Sequence, residues 1–285
     1  MMYSMTKRGD GKLNQLMREL PQGLFVDASW MTAHDYSRSL RSQYVSGGWL
    51  EQPAYGVYRR PQIGVRWEQV VISLQTMLGK SLLVGGRTSL DLQGLGHYLA
   101  ADLRDIHLYG PTPPPGWIDA LGVAQRFRYH NSGRLFRDDP LAAGPVLVQD
   151  ADALDRSVPP PLADSARKLP AGQGEWPLVV STPERALLET IDGLPGKESF
   201  HQVDKLVEGL STLSPRRMAA LLRLCRSVKV KRLFFYFATR HGHAWLSRLD
   251  PKDFDLGSGK RVLVRGGRLD PQFQITLPED LDADA

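Results

Sequence analysis

Tyr36-Ser-Arg-Ser-Leu-Arg-Ser-Gln-Tyr-Val-Ser46, then Gly47-Gly48, then Trp49-Leu-Glu-Gln-Pro-Ala-Tyr55-Gly-Val-Tyr-Arg-Arg60-Pro61, is the stretch that decides the fold. Tyr36, Leu40 and Tyr44 recur at helical spacing, and the glycine pair closes that helix. Trp49–Gln52 and Gly56–Arg60 read as two strands turned by Pro53-Ala54-Tyr55, and Pro61 ends the unit. Upstream, Leu13, Leu16, Met17 and Leu20 make the i, i+3, i+4, i+7 stripe of an amphipathic helix over Lys12–Leu20, stopped by Pro21-Gln22-Gly23. Leu24-Phe25-Val26 is a short strand, and Asp27 or Ser29 caps a short second helix.

Helix, strand, helix, turn, helix and hairpin within about 50 residues is the order of a winged helix-turn-helix. Such a unit braces one short helix so that its exposed face enters a major groove about 12 Å wide. Tyr36, Leu40 and Tyr44 supply the brace, with Trp49 and Leu50 following. The opposite face presents Arg38, Arg41 and Ser42, with Val45 one turn on, flanked by Ser39 and Gln43, without a carboxylate among them. Such a face approaches DNA without repulsion, and each arginine could reach a guanine edge or a phosphate. Tyr55 stands at the tip of the hairpin and Arg59-Arg60 at its end, where wing arginines meet phosphates or the minor groove. The bland alternatives are solvated arginines, or a winged helix that contacts protein. Arg41 is expected to be exposed, so that Arg41→Glu abolishes DNA binding without unfolding.

The 285 residues suit about two domains, with 42% hydrophobic and 24% charged residues giving an ordinary globular composition. The net charge of +5 and pI of about 9.3 favour an anionic partner. The single cysteine, Cys225, excludes an intramolecular disulfide, reads as a buried inert thiol in an apolar helical pattern, and fits a reducing compartment. The polar N-terminus and the shortness of the longest apolar run, Leu233–Ala238, imply a cytoplasmic protein with no membrane contact.

The reading divides the chain into a flexible lead at 1–11, a winged helix-turn-helix DNA-binding domain at 12–61, a domain at 62–279 and an acidic tail at 280–285. The fold class is an N-terminal winged helix-turn-helix plus a larger mixed α/β (α+β) C-terminal domain. Its expected helices are Trp67–Leu78, Thr88–Leu95, one starting at Thr182, Ser199–Leu210, Pro215–Leu224 and Leu233–Leu249. Its expected strands are Ser81–Val84, Asp105–Tyr109, Leu178–Val180, Val262–Val264 and Gln274–Thr276. Pro111–Pro115 is a stiff connector, and Val158–Pro161 and Pro170–Gly174 bracket a polar loop. Ser181 and Glu184 have capping-box spacing with Pro183 in the first turn. The sheet order does not follow from the pattern.

Residues 223–268 hold twelve Lys/Arg against three acids, a net of +9, which is either a solvated face or a surface for nucleic acid or an acidic partner. Gly257-Ser-Gly-Lys260 is half a phosphate loop: Phe254 and Arg261 stand where glycine and Ser/Thr are required, so it reads as a tight turn. His241-Gly-His243 lacks further ligands nearby in sequence for a metal. Asp253-Phe-Asp255 has two-metal spacing but reads as loop acids. Capping and helix-surface roles account for Glu184 and Glu189. No cofactor or metal is implied.

Four segments carry a resemblance: Leu24–Pro61 with Trp49-Leu-Glu-Gln and Gly56-Val-Tyr-Arg-Arg-Pro; Val84-Gly-Gly-Arg-Thr-Ser-Leu-Asp-Leu-Gln-Gly94 followed by His97-Tyr98; Ser181-Thr-Pro-Glu-Arg-Ala-Leu-Leu-Glu189; and Leu256-Gly-Ser-Gly-Lys-Arg-Val262. In these the chain resembles the AbiEi-type antitoxins of bacterial type IV toxin–antitoxin systems, with proline-rich insertions at 111–115 and 158–161. The resemblance implies a phage-defence regulator whose winged helix binds inverted repeats in double-stranded promoter DNA and represses its own operon. It also implies a functional partner, a nucleotidyltransferase-like toxin, neutralised without need of a stable complex, and no enzymatic activity. It places DNA contacts at Arg38, Arg41, Ser42, Gln43, Tyr55, Arg59 and Arg60. The competing readings are a metal-dependent nucleic-acid enzyme using the C-terminal acids, and a winged-helix protein-interaction module that never touches DNA.

Overall fold

Helix α1 (Thr6–Glu19) buries Leu16 and, just past its end, Leu20, as the stripe requires. It starts before Lys12, so Thr6–Gly11 is helical rather than a loose lead. The computed structural model of the chain describes residues 6–96, 103–144, 165–171 and 176–282. His97-Tyr98, the prolines at 159–161 and the acidic end at 283–285 lie outside the described residues.

Strand β1 (Phe25–Asp27) leads straight into α2 (Ala28–Ala33), whose N-cap is Asp27: its carboxylate accepts from Trp30 N at 2.8 Å. Helix α3 (Arg38–Ser46) is capped by Ser37, whose Oγ accepts from Leu40 N. Strands β2 (Glu51–Ala54) and β3 (Val57–Arg59) form the hairpin, and β1 adds to it antiparallel in the order β1–β3–β2.

Helix α4 (Trp67–Ile72) widens into a π-turn over Ser73–Met77 instead of continuing as α-helix to Leu78. The widened turn faces Gln75 inward. Its amide donates to Leu82 O and Val179 O and accepts from Val179 N, so one buried side chain stitches the helix to two strands. Ser73 Oγ accepts from Phe25 N at 2.8 Å, tying the same turn to β1.

The central sheet has five strands in the order β6–β5–β4–β8–β7: β4 (Leu83–Val84), β5 (Asp105–Gly110), β6 (Arg126–Asn131), β7 (Ala166–Pro170) and β8 (Pro177–Ser181). Strands β4/β8 and β5/β6 pair parallel; β4/β5 and β7/β8 pair antiparallel. Side chains alternate across it. Val84, Ile106, Leu108, Leu178 and Val180 join the core of the N-terminal unit, packing with Leu16, Val26, Met31 and Trp67. The other face meets α5 (Gly86–Leu92) and α6 (Pro183–Asp192), and α7 (Phe200–Gly209), α8 (Pro215–Leu224) and α9 (Val228–His241) pack round α6 in a second core. Strands β9 (Arg268–Asp270) and β10 (Ile275–Leu277) close the chain as an antiparallel pair.

Several expectations are corrected. β6 and β7 were not anticipated: Arg126-Phe-Arg-Tyr-His-Asn131 alternates charged and aromatic residues, and β7 occupies part of the stretch assigned to a polar loop. The last long helix starts at Val228, capped by Ser227, and ends at Gly242 in a left-handed conformation, so Ala244–Arg248 is a separate 3₁₀ turn. Val262–Val264 is not a strand; β10 pairs with Arg268–Asp270. The capping box at Ser181 does not form: Thr182 is the N-cap, Ser181 Oγ donates to Glu189, and Glu184 accepts from Ser214 N at 2.7 Å. Nor are Glu184 and Glu189 on a helix surface, each being 2% exposed. At the acidic end, Leu281 is buried and its carbonyl accepts from Arg240, so the docked structure reaches past Asp280.

The reason α6 tolerates charge at its centre is a closed ion network. Arg185, with no exposed surface, donates from Nη1 and Nη2 to both oxygens of Asp139 at 2.9 Å and from Nε to Glu189 at 2.8 Å, over the ring of Phe136. The other oxygen of Glu189 accepts from Gly86 N and Ser181 Oγ. Burial pushes Glu189 upward, opposed by Arg185 and these donors. Burial also acts to raise Asp139, but the hydrogen bonds and charge of Arg185 outweigh it and hold the carboxyl low. Gly85 has no room for a side chain: a Cβ there would strike Glu189, Tyr109 and Ser181.

Cys225 sits just past α8 with no exposed surface, and burial pushes its thiol up to about 11. That leaves roughly one thiolate per thousand at pH 8. The folded protein is therefore expected to resist iodoacetamide at pH 8 for hours while the urea-unfolded chain reacts within minutes, a contrast that mass spectrometry reads directly.

Candidate nucleic-acid interface

The turn between α2 and α3 sets the angle at which α3 is presented. Trp30 stacks on His34 at 3.8 Å and lies parallel to Tyr36 at 6.4 Å. Tyr36 is buried and donates from its hydroxyl to Glu19 of α1; burial and then the Glu19 charge raise its pKa. Tyr36 and Tyr44 are the brace; Leu40 is half-buried beside them. After α3, Gly48 takes a φ of 73° that favours glycine, and the reversal delivers Leu50 to the core and leaves Trp49 52% exposed.

The exposed face of α3 carries Arg38, Ser39, Ser42, Gln43 and Ser46. Tyr55, 94% exposed, projects from the hairpin tip, where Gly56 O accepts from Ala28 N and holds the wing beside α2. The structure thus gathers Arg38, Ser39, Ser42 and Gln43 on one surface and leaves Tyr55 exposed on the wing. The other three expected residues turn inward.

Arg41 is 9% exposed, not free: its guanidinium lies 5.8 Å from the Tyr58 ring and donates to Ala28 O at 3.0 Å, clamping α3 to the start of α2. Its position one turn from Ser37 and Tyr44 rotates it toward the brace. Arg59 is 6% exposed and fully engaged. It pairs with Glu51 at 2.9 Å, donates to Gly64 O and Gln62 O, and covers the Phe25 ring. Arg60 is half-buried with Nη1 directed at Met17 O of α1 at 3.4 Å. A run of two arginines at a strand end therefore staples the hairpin to the linker and to α1. Trp49, read with Leu50 as following the brace, is instead exposed while Leu50 alone is buried, and Ser46 joins the exposed surface; the glycine pair before Trp49 was the available signal.

The remaining sequence candidates resolve into structure. Arg232 donates to the carbonyls of Leu256, Gly259 and Gln274, so the Gly257–Lys260 turn has its backbone fixed from within by a cation. His241 contacts Asp204 at 2.8 Å and His243 meets Val207 O. Asp255 accepts from Gly257 N. Among the described residues no group of three or more His, Cys, Asp or Glu could hold a metal ion. The basic stretch 223–268 is divided: Lys231 and Arg232 are buried, Lys229 and Arg240 face Asp192 and Asp204, and Arg226, Arg248, Lys252, Lys260 and Arg265 stay exposed. No helix among the described residues is long and apolar enough to cross a membrane.

Three helices, a small antiparallel sheet and a third helix open to solvent define a winged helix-turn-helix, here built onto an α+β body. The chain belongs to the AbiEi antitoxin family of type IV toxin–antitoxin transcriptional regulators: residues 9–101 match the family's N-terminal domain and residues 156–278 match the AbiEi antitoxin regulator model. No curated protein matches the chain. Among solved structures, the crystal structure of the RV2827C protein from Mycobacterium tuberculosis is similar at 14% identity and a TM-score of 0.49, covering 94% of this chain and 90% of that one.

Proposed function

We propose that this protein is the DNA-binding autorepressor and antitoxin of a type IV toxin–antitoxin system, acting on inverted repeats in its own promoter. The observation that carries the reading is the exposed face of α3, with Arg38, Ser39, Ser42 and Gln43 free of carboxylates and Tyr55 raised on the wing beside it. Gln43 has the chemistry to read an adenine edge with its amide, Arg38 to grip guanine or phosphate, and the serines to donate or accept at either. With Arg41, Arg59 and Arg60 committed internally, Arg38 is the one expected contact cation left on this surface. Because log K falls with log salt by about 0.9 per phosphate neutralised, this module contributes a shallow salt slope of its own. The functional partner is a nucleotidyltransferase-like toxin, neutralised without a lasting complex.

Fluorescence anisotropy with the duplex upstream of the gene, beside a scrambled duplex at two salt concentrations, tests the repressor half. Preferential binding to the upstream duplex is expected. Gln43→Ala should cost about 1–3 kcal/mol on the cognate duplex and relax its preference, with the salt slope unchanged, whereas Arg38→Ala should reduce the slope if it meets phosphate. Equal, weak binding to both duplexes would overturn the reading and favour a protein-docking role for exposed Trp49 and Tyr55. Co-expression with the operon's toxin tests the antitoxin half: growth should be restored by the wild-type protein.

A further inference from the structure

On the face of the central sheet away from the winged helix, α5, the segment Gly193–Gln202 and the strands β5 and β6 line two adjoining compartments. The first, of about 240 Å³, is lined by His107, His130, Lys197, Arg87 and Thr190. The second, of about 260 Å³, is lined by Asp91, Glu198, Gln202, Val203 and Leu206. Arg87, Thr190 and Glu198 line both.

The two compartments differ in chemistry. In the first, His107 Nδ1 and His130 Nε2 are 2.9 Å apart, their rings stack, and Tyr109 stacks on His130 at 4.5 Å. One ring must donate to the other, which favours a neutral pair. Burial lowers both imidazoles, His130 to about 4, and Lys197 pushes both the same way. Lys197 itself is exposed and makes no ion pair among the described residues. Of the acids at this end, Glu189 is held by Arg185, Ser181 and Gly86, and Asp192 by Lys229, while Glu198 stands at the boundary between the compartments with Arg87 at 3.7 Å. Away from that boundary the open hydrogen-bonding capacity of the first compartment is that of Lys197.

In the second compartment, Arg87 reaches Asp91 only at 3.9 Å and Glu198 at 3.7 Å, while its Nη1 donates to Gln202 at 2.8 Å. Asp91 has a side chain 5% exposed, and its Oδ1 is buried with no hydrogen-bond partner among the described residues. Oδ1 is packed against Gly96, so the part of this carboxylate open to a ligand is the edge that lines the compartment, and a donor reaching that edge relieves part of the cost of burying the charge. Val203 and Leu206 add an apolar wall beside it.

We propose that this cleft binds a ribonucleoside phosphate, its phosphate against Lys197, Arg87 and the His107–His130 pair, its ribose hydroxyls or base amine donating to Asp91 and Glu198, and its base against Val203 and Leu206. Together the compartments reach the roughly 300–1,000 Å³ of small-molecule sites. A bare anion would add no donor to Asp91, whose contact among the described residues is Arg87 at 3.9 Å, and a bare nucleoside would leave Lys197 unused.

Titration calorimetry on the intact protein tests this with AMP, GMP, CMP and UMP, the four nucleosides and inorganic phosphate. At least one nucleotide is expected to bind tighter than both its nucleoside and phosphate. Lys197→Ala should weaken the nucleotide roughly 10-fold or more without weakening the nucleoside, and Asp91→Asn should weaken both. Circular dichroism establishes that each variant is folded, and Lys197, on an exposed loop, is the safer of the two. Three results would overturn the proposal: no nucleotide binding at millimolar concentration, phosphate binding as tightly as every nucleotide, or folded variants that bind like wild type. None of these measurements involves DNA or toxin, so their failure leaves the repressor reading where it stood.

Discussion

Arg185→Ala is expected to destabilise the protein by about 3–5 kcal/mol, a large fraction of the roughly 5–15 kcal/mol that keeps an ordinary protein folded. The substitution removes the shared partner of two buried carboxylates, Asp139 and Glu189, whose side chains are 3% and 0% exposed. Asp139 would lose both of its Arg185 hydrogen bonds, and Glu189 would keep only Gly86 N and Ser181 Oγ. Arg185→Lys should recover part of the loss, since one ammonium cannot replace a planar fork spanning both acids. Urea unfolding followed by circular dichroism measures both. The sign with pH follows from Asp139: its folded pKa lies below the unfolded value, so its stabilising contribution is present above about pH 4 and fades as pH falls through the lowered folded value. In Arg185→Ala that contribution should vanish and the acid side of the stability profile should flatten.

Arg41→Glu is expected to abolish DNA binding, but together with the fold of the recognition unit rather than apart from it. A carboxylate in place of Arg41 would face the carbonyl of Ala28 and the ring of Tyr58, with no cation offered to it by the contacts seen there. A buried charge so placed costs about 3 kcal/mol or more, and the Tm should fall on the order of 5–10 °C. Gln43→Ala, at an exposed position, should leave Tm nearly unchanged while weakening cognate binding. Thermal denaturation beside anisotropy separates the two cases. An Arg41→Glu protein with wild-type Tm and no DNA affinity would make Arg41 a contact residue instead of a clamp.

The N-terminal elements were legible because their spacing is local: the stripe from Leu13 to Leu20, the cap of the second helix, offered as Asp27 or Ser29 and found at Asp27, and the glycines after α3 each act within a few residues. What sequence could not supply was the rotation of α3 about its axis. Arg38 and Arg41 lie only about 60° apart on an ideal helix, so a modest rotation of α3 about its axis decides which of them meets solvent. Polar residue type was a poor guide to exposure for the same reason at Arg59, Glu184, Arg185 and Glu189, whose partners lie in remote segments or on inward faces. The cleft was unreadable because it draws Arg87, His107, His130 and Lys197 from four separate parts of the chain. In the Ser181–Glu189 segment the capping-box spacing was misleading, because Ser181, Arg185 and Glu189 are engaged in a buried polar network instead.

One consequence follows from the shared core that joins Leu16, Val26, Met31 and Trp67 to Ile106, Leu108, Leu178 and Val180. A fragment cut at Pro61 would carry the reading helix and its wing, yet would present half of an apolar interface to water, with Arg59 deprived of Gln62 and Gly64. The winged helix-turn-helix is therefore not a detachable cassette. Its orientation is set by the sheet it is packed on, because the two share one continuous core.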